Sequence, residues 1–342
     1  MENILFIRLR LLGDIIFTIP ALEIYKKHFP QNKIYYVVED KFREVAELIP
    51  NVYQVISIPR EMSIKQLFQF RAQMKALAID AVVDFHSGPK SALLTRISGA
   101  KTRIGYITPN RNWAYNYLSP RTFGDAPTHS TFNQAKLLEP LGVTIPGTGI
   151  PPYPPIAINE DKVSNVVKET MDENRDNKTV VIHVGAGNEF RDWGIENFSA
   201  LIQQLLADKV TLFLVGNSEE EKKKGAALAT QKLSQGESCV YDLTGRLTIA
   251  DMLFLISRAD VYFGVDSGPL HLATLTHTPL VTLYGPNIPA ISGPWRKKDV
   301  TIIQLPLNCR PCSQRKCIYD TIRCMKNIKT DEVHEAIIQY LK

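Results

Sequence analysis

Residues 4–27, ILFIRLRLLGDIIFTIPALEIYKK, together with KIYYVV at 33–38, decide the fold. The apolar run at 4–7 is the right length for a buried strand, and 8–13 reads as a loop. Over 14–27 the apolar residues Ile15, Ile16, Ile19, Leu22 and Tyr25 fall near helical spacing, with Glu23 and Lys27 on the wet side. Pro20 predicts a kink or a break in that helix, because it has no N–H to donate and its ring crowds the preceding turn. The run at 33–38 then reads as a second strand. Further outward, 52–58 and 79–85 (IDAVVDF) read as strands, with a helical stretch over 64–77 between them. Strands alternating with helices at this spacing predict a parallel, doubly wound sheet.

The pattern is interrupted once. PGTGIPPYPP at 146–155 holds five prolines and two glycines in ten residues, a density that no regular element survives. Beyond it come a helix over 161–174 and strands over 179–184, 210–215, 261–265 and 280–284. The chain therefore reads as α/β, with Rossmann-like domains over 1–150 and 156–325 joined by a proline-rich hinge. A C-terminal segment, 326–342, is helical from 328 onward. Ligands of such sheets bind beyond the carboxyl ends of the strands, so candidate residues are sought there.

The composition is that of a globular protein: 342 residues, 44% hydrophobic and 22% charged. No apolar run reaches the ~20 residues that span a bilayer. Arg8, Arg10 and Asp14 interrupt the apolar N-terminus, which argues against a secretory leader and predicts a cytoplasmic protein. The net charge of +5 is unevenly spread. Residues 1–150 carry 18 basic and 12 acidic side chains, and the remainder 22 and 23. The basic excess is either a solvated face or a surface for an anionic partner. Lys90, Arg96, Lys101, Arg103 and Arg111, after the strand ending at Phe85, are the candidates for such a surface. No nucleic-acid-binding motif accompanies them.

Three strand ends carry candidate chemistry. Asp14, in LGD at 12–14, suits either a helix N-cap or a general base in the strand-end crevice. HVGAG at 183–187, followed by Arg191 and Trp193, is either a tight strand–helix turn or a phosphate loop, with Arg191 supplying charged N–H groups. DSGPLH at 266–271 would place Ser267 and Gly268 at the start of a helix, with Pro269 in its first turn and His271 beyond. His271 reads equally as a structural histidine or a ligand contact. Cys309, Cys312, Cys317 and Cys324 form C-x2-C-x4-C-x6-C. A tetrathiolate zinc or iron site and unliganded thiols, reduced or disulfide-linked, both remain open for them.

These segments in order, RLRLLGD at 8–14, HVGAGNEFRDW at 183–193, DLTG at 242–245, DSGPLHLA at 266–273 and YGP at 284–286, resemble glycosyltransferase family 9. This is the family of the ADP-heptose:lipopolysaccharide heptosyltransferases. The resemblance implies a GT-B architecture, with two Rossmann-like domains facing across a cleft. It implies an inverting sugar transfer with no cofactor required for catalysis, from a nucleotide-sugar donor such as ADP-heptose to an anionic glycolipid acceptor. Peripheral association with the cytoplasmic face of the inner membrane would go with such an acceptor, as would no role for nucleic acid. Transfer to a protein or to another glycan is the nearest rival. A non-catalytic nucleotide-sugar-binding module is the rival of another class.

Residue by residue, Asp14 matches the family's proposed base. Arg191 stands where a lysine usually contacts the donor phosphates, and Ala186 and Gly187 match the loop beside it. Asp266, Ser267, Gly268 and His271 match the second donor loop. Glu219 or Glu220 falls near an acid that binds ribose. The cysteine-rich tail, ending CMKNI at 324–328, also looks like many members. In GT-B enzymes the closing helix often crosses back to the first domain.

Overall fold

Each βαβ step read from the sequence is present, and two more strands extend each sheet. A computed structural model describes residues 2–121, 128–145, 150–154, 156–230, 239–295, 298–310, 312–319 and 321–342. The chain divides into unit Met1–Ile156 and unit Ala157–Lys342. The division falls at the end of the proline-rich stretch, whose residues 146–149 and 155 lie outside the described residues.

The first unit is a six-stranded sheet of β1 (Asn3–Ile7), β2 (Lys33–Glu39), β3 (Val52–Ile58), β4 (Ala81–Asp84), β5 (Thr102–Tyr106) and β6 (Tyr117–Ser119). Its order is β3-β2-β1-β4-β5-β6, and every pair is parallel. The second has β7 (Thr179–His183), β8 (Thr211–Val215), β9 (Val240–Asp242), β10 (Val261–Val265), β11 (Leu280–Leu283) and β12 (Val300–Ile303). Its order is β12-β11-β10-β7-β8-β9, again all parallel. The two units therefore share one topology. In each, the order reverses beside the first strand, between β1 and β4 and between β7 and β10. A crevice opens beyond the carboxyl ends at such a reversal.

Local sequence explains the elements. Pro20 does break the first helix. Leu12–Ile16 ends at Phe17, and a new helix, Ile19–His28, starts with Pro20 in its first turn, where no N–H is needed. Helix Ile64–Ala76 is started by a reciprocal cap, Gln66 N–H to Ser63 Oγ at 3.3 Å and Ser63 N–H to Gln66 Oε1 at 2.8 Å. Helix Ile249–Arg258 starts the same way from Thr248 and Asp251. The second core gathers around Trp193, which is fully buried edge-on to Phe198 and Phe263 and donates Nε1–H to the Ile328 carbonyl at 3.1 Å. An indole buries roughly 150–250 Å², worth about 4–6 kcal/mol at ~25 cal/mol per Å². The closing helix, Thr330–Leu341, belongs to the second unit. It lies on helix Ile195–Ala207 and against β10 and β11, with Val333 and Ile337 buried. Among the described residues no helix is long and apolar enough to cross a membrane.

Candidate active site

In the first unit the crevice beside β1 holds Asp14. It is the third residue of helix Leu12–Ile16, whose N-cap is Leu11; Asp14 is thus not the N-cap itself, although its Oδ2 lies 3.5 Å from the Leu11 backbone nitrogen at the helix start. Its carboxylate is ion-paired with Arg8, and its side chain is 34% exposed while that of Arg8 is 7% exposed. Arg8 also donates to the Phe85 carbonyl at 2.7 Å, so one buried guanidinium ties the end of β4 to the Asp14 turn. The carboxylate is thereby oriented yet open to solvent, as a base that must meet an incoming hydroxyl requires.

The turn after β4 is rigid for its own reasons. The backbone N–H groups of His86 and Ser87 donate to Asp84 Oδ1 at 2.9 and 2.8 Å, and the Tyr115 hydroxyl donates to Oδ2 at 2.8 Å. Burial raises the Asp84 pKa despite these hydrogen bonds. His86 is pushed the other way, to about 4, first by burial and then by the charges of Arg8 and Arg10, with Asp14 opposing. It is therefore neutral at neutral pH. Gly88 leaves room for the His86 ring, since a Cβ at that position would lie 2.7 Å from it. Sequence reasoning missed His86. Its only signal was a position just past a strand end.

The five candidate cations do not form one surface. Lys90, in the first turn of helix Pro89–Ile97, is tied to Glu39 at 3.4 Å and to the carbonyls of Pro59 and Arg60 at 2.6 and 2.9 Å. Arg111 donates to the Ser87 carbonyl at 3.1 Å. These two sit on the carboxyl-end side of the sheet. Arg96, in the last turn of that helix, and Lys101 and Arg103, at the start of β5, sit on the opposite side. Arg103 is held by the carbonyls of Ala100 and Ala114 at 2.7 and 2.9 Å. The cations whose charge reaches His86 are instead Arg8, Arg10 and Arg121.

In the second unit the loops after β7, β8 and β10 are stitched together. His183 is buried at the end of β7. Its Nδ1 lies 3.2 Å from Ser267 Oγ, and its Nε2 lies 3.2 Å from Glu221 Oε1. Glu221 also accepts the N–H groups of Asn217 and Ser218, both at 2.7 Å. Burial works to raise its pKa, but the His183 hydrogen bond and charge and the two backbone donors outweigh it and hold the carboxyl well below its usual range. Gly185 makes the close approach possible, because a Cβ there would lie 2.0 Å from Glu221 Oε1. The capping pattern Ser218-x-x-Glu221 was the signal that could have singled out Glu221.

A cavity of about 190 Å³ opens beside this junction, lined by Ala186, Gly187, Asn188, Glu220, Glu221 and Lys224 among others. Glu219 does not line it. Its exposed carboxylate pairs with Lys222 at 2.7 Å. Arg191 bridges to the next loop, with Nη1 3.5 Å from Asp266 Oδ2 and 3.3 Å from the Asp266 carbonyl. Asp266 is buried, accepts a hydrogen bond from Asn287 Nδ2, and has His271 Nε2 3.8 Å from Oδ1. Ser267 stands at the N-cap position of the six-residue helix Gly268–Ala273, but its hydroxyl is engaged with His183 rather than with the helix. Of the expected nucleotide-binding residues, the structure brings Arg191, Asp266, Ser267 and His271 together, with Gly268 at the helix start and Ala186 and Gly187 on the adjoining cavity.

A model of glycosyltransferase family 9 (heptosyltransferase) matches residues 67–323. The chain belongs to this family. Lipopolysaccharide heptosyltransferase 1 of Campylobacter coli is 23% identical over 297 residues, 83% of this chain and 84% of that protein. Among solved structures, the E. coli ADP-heptose lipopolysaccharide heptosyltransferase II superposes with a TM-score of 0.78 over 100% of this chain and 98% of that one, at 18% identity. The iron-containing dodecameric glycosyltransferase TibC of enterotoxigenic E. coli gives 0.60 over 99% and 76%, at 15% identity. As a family 9 protein it is a glycosyltransferase, and its α/β fold is of the GT-B class.

The cysteine-rich tail lies in the second unit of this glycosyltransferase. Cys309, Cys312, Cys317 and Cys324 line one small cavity of about 40 Å³, with Phe190, Gly285 and Arg310 among its other walls. All four are free thiols. Burial pushes the Cys324 thiol up, and the charges of the other three add to the effect after partial relief from Arg310. Among the described residues no three His, Cys, Asp or Glu side chains are arranged to hold a metal ion. The set of ligand atoms suits zinc or iron, while the thiols would have to draw together to form a shell.

Proposed function

We propose that this glycosyltransferase moves a heptosyl group from ADP-heptose to a lipopolysaccharide inner-core acceptor, with inversion at the anomeric carbon. The observation that carries the reading is Asp14, oriented by Arg8 in the strand-reversal crevice of a family 9 chain. The names of the relatives supply the donor and the acceptor class. In this reading Asp14 takes the proton of an acceptor hydroxyl as its oxygen attacks the anomeric carbon. The bond from that carbon to the diphosphate breaks on the opposite face, and the ADP leaves with the electron pair. Arg191 offsets the charge that grows on the diphosphate, an electrostatic contribution made without reorganisation. The Ala186–Gly187 backbone, lacking bulky side chains, lets the nucleotide approach, and Asp266 and His271 hold Arg191 and its loop in place. Asp14 belongs to the first unit and the Arg191 loop to the second. The acceptor and its anionic groups place the enzyme at the cytoplasmic face of the inner membrane, where Arg10, Arg111 and Arg121 supply charge.

A donor screen tests the reading. Purified protein with acceptor should release nucleotide from ADP-heptose and little from UDP- or GDP-sugars. Preference for another nucleotide would replace the proposed donor.

We also propose that the four cysteines bind one structural zinc or iron. The supporting observation is that all four cysteines line one cavity, and TibC, a neighbour in fold, is described as iron-containing. A closed four-ligand site would leave no position for substrate and would staple the tail. Anaerobically purified protein should carry about one metal per chain, and Cys312→Ser should lose metal and thermal stability together. Metal-free protein with four freely titrating thiols would remove the site.

A further inference from the structure

One of the side chains that tie the tail to the Arg191 loop is that of Gln314. Gln314 lies between Cys312 and Cys317 with a backbone φ of 55°, in the left-handed region that a glutamine seldom adopts. Its side chain joins three loops. Oε1 accepts from Arg191 Nε at 2.9 Å and from Asn188 Nδ2 at 3.2 Å. Nε2 donates to Asn287 Oδ1 at 2.8 Å. Asn287 in turn donates to Asp266, the carboxylate beside Arg191 Nη1. The Gln314 backbone N–H donates to Cys312 Sγ at 3.4 Å, so the same residue is anchored in the cysteine segment.

We propose that Gln314 is a positioning residue for the nucleotide diphosphate, acting through Arg191. This rests on the reading that Arg191 contacts the donor phosphates. A guanidinium binds phosphate well only when its planar fork is aimed at it. Gln314 holds the Nε edge and Asp266 engages Nη1, so two points fix the plane of the group. The chemistry of the amide matters. A neutral carbonyl oxygen orients the guanidinium without adding a second negative charge to that of Asp266, whereas a carboxylate at this position would compete further with the phosphate as counter-ion. The amide N–H is also needed, because it fixes Asn287 and through it Asp266. The cysteine segment thus becomes part of the support of the nucleotide site rather than a separate appendage.

The test is a double-mutant cycle on the full-length chain, read by ADP titration and by donor KM and kcat. Gln314→Met keeps the length of the side chain and removes its polar head. It should weaken ADP binding about tenfold, the scale of one hydrogen bond to a charged group, and raise donor KM with acceptor KM unchanged. Arg191→Ala alone should weaken ADP binding at least as much. In the Arg191→Ala background, Gln314→Met should cost less than about twofold, because its effect passes through the missing guanidinium. Gln314→Glu, which keeps the side-chain shape and can still accept from Arg191, should also weaken ADP binding. It provides a second reading if the Met variant misfolds. Equal losses from Gln314→Met in both backgrounds, or ADP affinity within twofold of wild type in both single Gln314 variants, overturn the proposal. Unchanged ADP affinity in Arg191→Ala overturns the phosphate role of Arg191 and this inference with it.

Discussion

The contacts of Arg191 depend on its being an arginine rather than a lysine. The guanidinium engages Gln314 through Nε and Asp266 through Nη1. A lysine carries the same charge but no Nε–H and no fork. Arg191→Lys should therefore raise the Kd for ADP about fivefold or more while leaving the melting temperature near wild type, as measured by titration and thermal unfolding. His86 offers a prediction of another kind. Its pKa falls from an ordinary 6.5 to about 4 on folding. A base with a depressed folded pKa contributes stability that is fully present above its unfolded pKa. That stability is lost as pH falls through 6.5 toward 4. His86→Gln should flatten the decline in melting temperature over that window. An unchanged pH profile would mean that His86 titrates normally. Neither residue's environment was legible from the chain. Arg191 was found by its motif, but Gln314, 123 positions away, was not, and nothing local marks a half-buried histidine reached by the charges of arginines from other loops.

At the scale of elements, the first and second strands of each sheet were legible because they are buried on both faces and read as unbroken apolar runs. The strands that escaped have identifiable reasons. β6, β9 and β12 are three or four residues long and lie at sheet edges. β5, TRIGY, carries Gly105, where a Cβ would lie 2.5 Å from the Tyr115 ring, so packing against a neighbour rather than periodicity selects its sequence. The helix break at Pro20 was legible because proline acts locally. Among the three consecutive glutamates of the β8 turn, only the fold shows that Glu221 turns inward to His183 while Glu219 faces Lys222. The turn depends on that inward carboxylate. Glu221→Ala leaves His183 and two backbone N–H groups without their partner and should cost about 3 kcal/mol in denaturant unfolding. The glutamate's folded pKa is depressed. Its contribution is therefore present above the unfolded carboxylate pKa and lost as pH falls below it, so wild type and variant should converge in acid.

At the scale of the whole molecule, one parallel topology appears twice, and each copy presents a different charged group at its strand-reversal point. The first presents a carboxylate, Asp14, braced by Arg8. The second presents a cation, Arg191, braced by Asp266 and Gln314. A base in one unit and a phosphate-binding cation in the other are what an inverting transfer from a nucleotide sugar needs. The measurement that tests this most directly is acceptor-dependent ADP release from ADP-heptose by wild type and Asp14→Asn under identical conditions, with the melting temperature of each recorded. Asp14 is not the helix N-cap, and Asn keeps its shape, so the variant should remain folded. Release by wild type should require the acceptor, and it should fall by about 10²-fold or more in Asp14→Asn with ADP binding unchanged. Near-wild-type release by a fully folded Asp14→Asn, or no acceptor-dependent release from ADP-heptose by wild type, would contradict the account.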